Sequence, residues 1–492
     1  MSDPQDPDGG APVRVRRDIW GLEEEQAWHP VTRAYARAVG QLQKRAATDP
    51  TGWTYQAQIH GMPGFRQPDD FRGQCQHNSW FFLPWHRLYL YWFERIVRSC
   101  VEADPEVDDE TTRAWALPYW NYSAGGTRSS LPGAFREPMM PDGSGPNPLF
   151  VAQRNQFIND GEELDPRAIR LREALAPLTF AVPRPDGGFG GAATGWNHRN
   201  QDVNSWPGSL EQTPHGDVHM EVGGLMSQFS TAGFDPVFWL HHANIDRVWE
   251  SWRHELGRPD PDATSSWGTT GFGFHDEQGA EVTGTAADVL DTAGQLQYRY
   301  EDISIPASDR RGRRGRVEEP VPAGTPAELI GATEKPLRLS GGSEDVTFPV
   351  GRPTGPADRR GGAAPAQLIL AVEGIEQIES GDPPDVTYAV YVNMPEDLPG
   401  DADPEDYYAG NVNFFGIAEP APGDSDTEAH ALRRSFDITD LVEGLRADGR
   451  WDPDAFTVSF RPIGRGRARR GPGGEERTTT PVRVGRVGLY VR

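Results

Sequence analysis

The sequence is poor in cysteine, in lysine and in long apolar runs. Its cysteines are Cys75 and Cys100, too few for a disulfide scaffold in 492 residues. Lysine occurs only at Lys44 and Lys335, so arginine carries nearly all of the positive charge. No apolar run approaches the roughly 20 residues that cross a bilayer, and the N-terminal residues lack the apolar core of a secretory signal. We therefore expect a cytoplasmic protein by default, with export by a partner protein left open.

Positive charge is also in short supply relative to negative charge. The chain has 48 Lys and Arg against 73 Asp and Glu, a formal net charge of −25. Such an acidic chain is not expected to take nucleic acid or an anionic membrane as its main partner. Its length is sufficient for two or three domains, each with a core of its own.

Composition divides the chain into four segments. Residues 1–12 read as a disordered acidic tail, and 13–302 as a mainly α domain with much irregular loop. Residues 303–328 are rich in Pro, Gly and Arg and predict an exposed, protease-sensitive linker. Residues 329–492 contain short alternating apolar runs separated by turn residues, which predict an all-β sandwich.

Within the α domain, apolar spacing and aromatic content predict the individual helices. Helical patterns cover Arg14–Arg45, Asn78–Val101 and Asp235–His254, and a further helix is expected near Pro166–Ala176. Pro84 falls near the first turn of the second helix, a position where proline is tolerated.

Six histidines fall into two groups of three along the predicted α domain. The groups are His60, His77 and His86, and His215, His219 and His242. In PHGDVH a spacing of four residues puts both imidazoles on one helical face. Zinc hydrolases and non-haem iron oxygenases usually add a carboxylate ligand, and none stands in register here. All-nitrogen ligation favours a pair of copper ions, whereas the alternative is a set of scattered core histidines.

These motifs resemble the type 3 copper proteins of the tyrosinase, catechol oxidase and polyphenol oxidase family. The matching segments are VRRDIW, CQHNSWFFLPWHRLYLYWFE, LPYWNY, PHGDVH and DPVFWLHHANIDRVW. In the C-terminal third, ILAVEGI, TYAVYVN and YAGNVNFFG are similar to the tail domain of the plant enzymes. The resemblance implies that each group of three histidines holds one of two copper ions, with O2 as co-substrate. It also implies that Tyr298 and Tyr300 contact an N-terminal arginine, Arg16 or Arg17.

The resemblance implies an enzyme that oxidises small phenolic substrates. The expected reaction converts o-diphenols to o-quinones, and ortho-hydroxylation of monophenols is left open as a second activity. The chain's own C-terminal domain would act as a lid that keeps the enzyme latent until the linker is cleaved or the lid displaced. The alternatives are an o-aminophenol oxidase of secondary metabolism and a haemocyanin-like O2 carrier. A partner for export or for copper loading is not identified.

The resemblance also implies roles for residues next to the metal ligands. In fungal members a cysteine placed as Cys75 forms a thioether with the histidine at the position of His77; an ordinary thiol is the alternative. His241 precedes the ligand His242 and is expected to contact the ligands rather than the metal. Asp246, one turn later, is expected to do the same, chiefly in a structural role.

Four further residues bear on the substrate. Glu211 has the position of the family's water-holding glutamate, which would help to deprotonate a phenol. Strong monophenolases often carry asparagine at the position of Gly216, which offers no side-chain acceptor. Phe229 aligns with a bulky gate residue, and Met220 follows a ligand. Together these residues favour diphenol oxidation over monophenol hydroxylation.

Overall fold

The computed structural model describes most of the chain in two compact units. The described residues are 13–62, 71–196, 205–307, 309, 326–352, 367–379, 381, 384–398, 403–417, 431–463 and 480–492. The first unit comprises residues 1–76, 81–164 and 224–306, and the second comprises 77–80, 165–223 and 307–492. The predicted tail and the arginine-rich part of the predicted linker lie outside the described residues. The four segment boundaries read from composition stay predictions.

Helices and strands follow the two-part pattern expected from the sequence. The helices of the described residues are α1 (Ile19–Glu25), α2 (Pro30–Leu42), α3 (Trp53–His60), α4 (Phe82–Ala103), α5 (Asp109–Ala114), α6 (Gly133–Arg136), α7 (Gln156–Asn159), α8 (Asp217–Val222), α9 (Pro236–His254), α10 (Ser266–Thr269) and α11 (Thr439–Ala447). The strands are β1 (Arg14–Arg16), β2 (Gly271–His275), β3 (Glu281–Thr285), β4 (Tyr298–Tyr300), β5 (Glu328–Ala332), β6 (Leu337–Leu339), β7 (Glu344–Phe348), β8 (Leu368–Gln377), β9 (Thr387–Val392), β10 (Tyr408–Val412), β11 (Leu432–Asp437), β12 (Phe456–Ile463) and β13 (Val482–Val491). Within the described part of the chain, no helix has the length and apolar character needed to cross a membrane.

Two long helices, α4 and α9, form the buried centre of the first unit. The helix α9 begins as predicted, because Asp235 accepts a hydrogen bond from the Val237 N–H at 2.9 Å and Pro236 occupies the first helical position. The helix α4 begins at Phe82, four residues later than predicted. Asn78 has a φ of 53°, a left-handed conformation that a right-handed helix cannot contain.

Two helix predictions in the first 180 residues were wrong. Arg14–Arg16 is a strand, β1, which pairs in parallel with β4, so only part of the predicted N-terminal helix exists as α1 and α2. The segment 166–176 forms turns, such as the one closed by the Leu175 N–H on the Leu171 carbonyl at 2.8 Å. In both places tertiary pairing or turn formation overrides a weak helical pattern.

The second unit contains the predicted β-sandwich. One sheet has the strand order β10-β9-β12-β7, and the other has β11-β8-β13-β5 with β6 also paired to β13. Buried residues of both sheets share one apolar core, for example Leu370 of β8, Val390 of β9 and Phe460 of β12. The predicted fold class, a mainly α part followed by an all-β sandwich, is therefore confirmed.

A buried cluster of charged and phenolic groups joins β1 and β4 to α9. The Asp246 carboxylate accepts hydrogen bonds from Arg87 Nε at 2.5 Å, from the Tyr298 hydroxyl at 2.6 Å and from the Tyr300 hydroxyl at 2.5 Å. The Arg16 guanidinium carbon lies 3.6 Å from the centre of the Tyr298 ring, so the predicted arginine contact is made by Arg16. Burial favours the neutral acid, but the neighbouring guanidinium groups of Arg87 and Arg16 outweigh it and lower the pKa of Asp246. Asp246 is thus buried among arginine and tyrosine side chains, and its expected role beside the metal ligands stays a prediction.

Replacing Asp246 by asparagine is predicted to destabilise the protein by about 1–3 kcal/mol, because two buried guanidinium groups lose a shared partner while Arg16 keeps Glu94 and Arg87 keeps Glu250. The free energy of unfolding from a urea titration measures this. Asp109→Asn at an exposed position of α5 is the matched control and should change stability by less than about 0.5 kcal/mol. Equal losses in the two variants would mean that the cluster adds nothing beyond an ordinary surface charge.

Candidate metal centre

In the first unit, α3, α4 and α9 place their histidines next to one another. His60 ends α3, His86 opens the second turn of α4, and His241 and His242 lie in the second turn of α9. The His86 and His242 rings stack with their centroids 4.5 Å apart and their planes 10° from parallel. The His60 centroid lies 5.8 Å from that of His86 and 6.1 Å from that of His242. All four side chains are buried.

Backbone carbonyls orient these imidazoles. His60 Nδ1 lies 2.9 Å from the Phe229 carbonyl oxygen, and His86 Nδ1 lies 2.7 Å from the Phe82 carbonyl oxygen. Because a carbonyl oxygen only accepts, each Nδ1 carries the proton and each Nε2 keeps its lone pair for a metal. Burial lowers the pKa of His60 to about 4 and lowers the pKa of His86 well below its usual value. Both rings are therefore neutral at neutral pH, which is the form that binds metal ions.

In the second unit, the segment Glu211–Gly216, whose helical path is broken by an extended backbone at Thr213 (φ −138°, ψ 129°), leads into α8 and brings two histidines together. The His215 and His219 rings lie 4.7 Å apart between centroids, and the His77 ring lies 5.7 Å from that of His215. His215 Nδ1 lies 3.1 Å from the Glu211 carbonyl oxygen, so the same tautomer rule applies. The four-residue spacing in PHGDVH therefore produces the adjacent imidazoles that it predicted.

The Glu211 carboxylate holds the backbone next to His77. Its two oxygens lie 2.7 and 3.0 Å from the backbone nitrogen of Asn78, which donates its N–H. Burial raises the pKa of Glu211 to about 8. The carboxylate thus anchors the loop that carries one candidate ligand, and its predicted part in holding a water stays a prediction.

The described residues contain two buried groups of side chains that could each hold a metal ion. Within a group, one ligand atom from every member lies within 4.8 Å of the others. The groups are His60, Cys75, His77 and His86, and His215, His219, His241 and His242. The six histidines singled out in the sequence thus fall three into each group, and their assignment as ligands stays a prediction.

Two further side chains of the metal groups were expected to play supporting roles. Cys75 Sγ lies 3.3 Å from His86 Nε2, and its predicted thioether with His77 stays a prediction. His241 Nδ1 lies 3.2 Å from the Tyr122 hydroxyl oxygen, so a phenol orients its ring. The His241 ring also lies 5.1 Å from the His242 ring between centroids, and its predicted supporting role stays a prediction.

The remaining predicted residues surround these groups. Phe229 is half-buried, and its ring meets the His60 ring edge-on with centroids 6.0 Å apart. Met220 is buried in α8. Gly216 lies against Asn413, a residue nearly 200 positions later in the chain. Their suggested effects on substrate choice stay predictions.

Sequence reasoning missed Phe415 as a residue of the site. Its ring stacks on the His219 ring with centroids 3.9 Å apart and planes 13° from parallel. It also lies 5.4 Å from the His215 ring and 6.0 Å from the His77 ring. The segment YAGNVNFFG, noted for its resemblance to the plant tail domain, was the available signal.

Comparison with known proteins identifies the family. The common central domain of tyrosinase matches residues 50–255, and the polyphenol oxidase middle domain matches 262–313. The chain belongs to the tyrosinase and polyphenol oxidase family. A domain of unknown function (DUF7868) matches its residues 326–492.

Relatives of the chain match it over most of its length. It is 28% identical to tyrosinase HcTyr1 of Hahella sp. over 97% of this chain and 99% of that protein. It is also 28% identical to the chloroplastic (+)-larreatricin hydroxylase of Larrea tridentata, over 87% of this chain and 72% of that protein. Latent apple tyrosinase has the same fold, with a TM-score of 0.63 at 23% identity over 98% of this chain and 97% of that chain. A latent aurone synthase gives a TM-score of 0.65 at 22% identity, over 100% and 91% of the two chains.

The donor set of the two groups fits copper. Neutral imidazole nitrogens suit copper well, and neither group contains a carboxylate. The backbone contacts to the ring nitrogens of His60, His86 and His215 are of the kind that orients metal-binding imidazoles. Two histidine-rich groups in one type 3 copper family chain are compatible with two copper ions.

The copper-loaded protein is predicted to hold two copper ions per chain, and His86→Ala and His219→Ala are each predicted to hold one. Removing one imidazole disrupts its own group and leaves the other group intact. Elemental analysis after dialysis measures the ratio of copper to protein. His275→Ala is the matched control, because His275 is buried outside both groups and should leave two copper ions bound. A variant that retains two copper ions would remove its histidine from the ligand set.

Proposed function

We propose that this chain oxidises o-diphenols to o-quinones with O2 at a pair of copper ions, and that Phe415 keeps it latent. Family membership and the two histidine groups support the oxidation. The stacking of Phe415 on His219 is the single observation that carries the latency. In this reading the C-terminal part of the second unit is the chain's own lid.

In this proposal each group of three histidines would bind one copper ion. His60, His77 and His86 would hold one copper ion, and His215, His219 and His242 the other. When bound, the copper pair supplies the reduction of O2 to water, coupled to the two-electron oxidation of each diphenol. The protein keeps the imidazoles neutral by burial and aims their Nε2 atoms by Nδ1 hydrogen bonds.

Phe415 occupies the surface that a phenolic ring needs. An aromatic substrate would approach the candidate ligands with its flat face, as the Phe415 ring does on His219. The ring is buried and contacts three imidazoles of the second unit. Substrate access therefore requires Phe415 to leave this position.

The surroundings of Glu211 favour diphenols over monophenols. Hydroxylation of a monophenol requires removal of a proton with a pKa near 10. Both carboxylate oxygens of Glu211 are within hydrogen-bonding distance of the Asn78 N–H, and the neighbouring Gly216 has no side chain to position a water. A diphenol is easier to oxidise and therefore depends less on Glu211 as a base.

Copper-loaded Phe415→Ala protein is expected to consume O2 fastest with catechol, more slowly with tyrosine and with o-aminophenol. An oxygen electrode, combined with spectra of the products, measures the ranking. Fastest uptake with o-aminophenol would instead select the aminophenol oxidase. Reversible O2 binding without turnover of any substrate would select the oxygen carrier.

Phe415→Ala is also predicted to raise kcat/KM for catechol in the intact chain by about tenfold. The ring stacking that it removes is worth about 0.5–1.5 kcal/mol, and about 1.4 kcal/mol corresponds to a factor of ten. Steady-state oxygen uptake of the variant and the original chain, at equal copper content, gives the comparison.

Phe348→Ala is the control for this comparison, because Phe348 is buried in the β-sandwich core. It should lower the free energy of unfolding by about 3–5 kcal/mol without a matching rise in catechol oxidation. A tenfold rise in both variants would attribute the activation to general loosening of the fold and would contradict the role of Phe415.

A further inference from the structure

Gly216 is a glycine whose backbone does not require glycine. Its φ of −64° and ψ of −36° are ordinary right-handed helical values that any residue adopts. In a helical position glycine is about 1 kcal/mol less favourable than alanine. The reason for a glycine between Thr213 and Asp217 must therefore lie in the space around it.

The side chain of Asn413 fills that space. A Cβ atom on Gly216 would lie 2.7 Å from Asn413 Oδ1, 2.8 Å from Nδ2 and 3.0 Å from Cγ. Two of these separations are shorter than any that real Cβ atoms show, so either the amide or the helix would have to move.

Hydrogen bonds hold the Asn413 amide in place. Its Nδ2 donates to the Gln212 carbonyl oxygen at 3.0 Å and to Asp217 Oδ1 at 2.8 Å, and its Oδ1 accepts from Arg434 Nη2 at 2.9 Å. Asn413 is fully buried, and leaving any of these groups unsatisfied would cost about 1–3 kcal/mol. The amide therefore cannot swing aside cheaply to admit a side chain at position 216.

A second asparagine binds the same carboxylate. Asn411 Nδ2 donates to Asp217 Oδ2 at 2.9 Å, so two amides from the end of β10 converge on the acid between His215 and His219. Phe415, two residues after Asn413, then reaches the His219 ring. The position of the Phe415 ring thus depends on the hydrogen bonds that hold Asn413 against Gln212 and Asp217.

We propose that Asn413 packs directly against Gly216. Because Gly216 has no side chain, the segment 408–415 can pack against α8. Any side chain at position 216 lifts Asn413 from Gln212 and Asp217 and carries Phe415 away from His219. The intact chain then opens without cleavage of the linker. Closure matters for activity only if the latent oxidase proposed above is correct, so the test reads closure and activity separately.

The test is Gly216→Ala in the full-length, copper-loaded protein. Amide hydrogen exchange of residues 408–415, followed by mass spectrometry, measures closure. We expect exchange in this segment to become at least tenfold faster and catechol oxidation to rise without proteolysis. Unchanged exchange in 408–415 in a folded Gly216→Ala protein overturns the assignment.

Gly444→Ala is the matched control. Gly444 is also a helical glycine of the second unit, in α11, and a Cβ there meets nothing within 4 Å. Amide hydrogen exchange of residues 408–415 in the Gly444→Ala protein should be as slow as in the original chain. Faster exchange of the same size in this control would attribute the effect to an added methyl group anywhere in the unit, and would also overturn the assignment.

The Asn413→Ala background shows whether Gly216 acts through Asn413 even if Gly216→Ala alone folds poorly. Exchange in 408–415 should be fast in Asn413→Ala, and adding Gly216→Ala should change it by less than twofold. A tenfold effect of Gly216→Ala in both backgrounds would show that Asn413 is not the group it displaces. Faster exchange in variants that do not oxidise catechol would support the closure while removing the proposed oxidase.

Discussion

The structure depends on holding neutral imidazoles, each in one tautomer, inside the protein. His60, His86 and His215 meet this constraint in the same way, since each places Nδ1 against a main-chain carbonyl oxygen. The carbonyl fixes the proton on Nδ1 and so leaves the lone pair on Nε2, the atom at which a metal ion could bind. Burial lowers the pKa of His60 to about 4, so the neutral form is kept without a carboxylate partner. The large aromatic content of α4 and α9 follows from the need for this dry setting.

The histidines of α9 depend on a charge cluster one turn further along the helix. Asp246 binds Arg87 from α4 and the phenols of Tyr298 and Tyr300 from β4, while Arg16 of β1 lies over the Tyr298 ring. A buried carboxylate with these partners restricts the rotation of α9 and so the direction of its imidazoles. Three residues of parallel strand pairing between β1 and β4 thus help to orient a candidate metal ligand.

The segment 408–415 is held against α8 by polar contacts as well as by the ring of Phe415. Asn411, Asn413 and Arg434 supply amide and guanidinium donors, and Asp217 and the Gln212 carbonyl supply acceptors. Ala409, Val412 and Phe414 of the same segment belong instead to the apolar core of the sandwich. The segment therefore joins the sandwich through apolar side chains and α8 mainly through hydrogen bonds.

The sequence by itself determined the local features of this protein. The spacing of His215 and His219, the Asp235–Pro236 start of α9 and the alternating strands of the sandwich follow from periodicity and capping, which act over a few residues. The family resemblance added the assignment of one copper ion to each group of three histidines. It also named Arg16 or Arg17 as the partner of the tyrosines.

Only the tertiary structure decided the rest. The helix α4 starts at Phe82 because Asn78 is left-handed, and Asn78 is held there by a carboxylate from Glu211, 133 residues later. Phe415 on His219 and Asn413 against Gly216 join positions almost 200 residues apart. No local pattern encodes such contacts, because they depend on how whole segments pack and on which side chains that packing leaves room for.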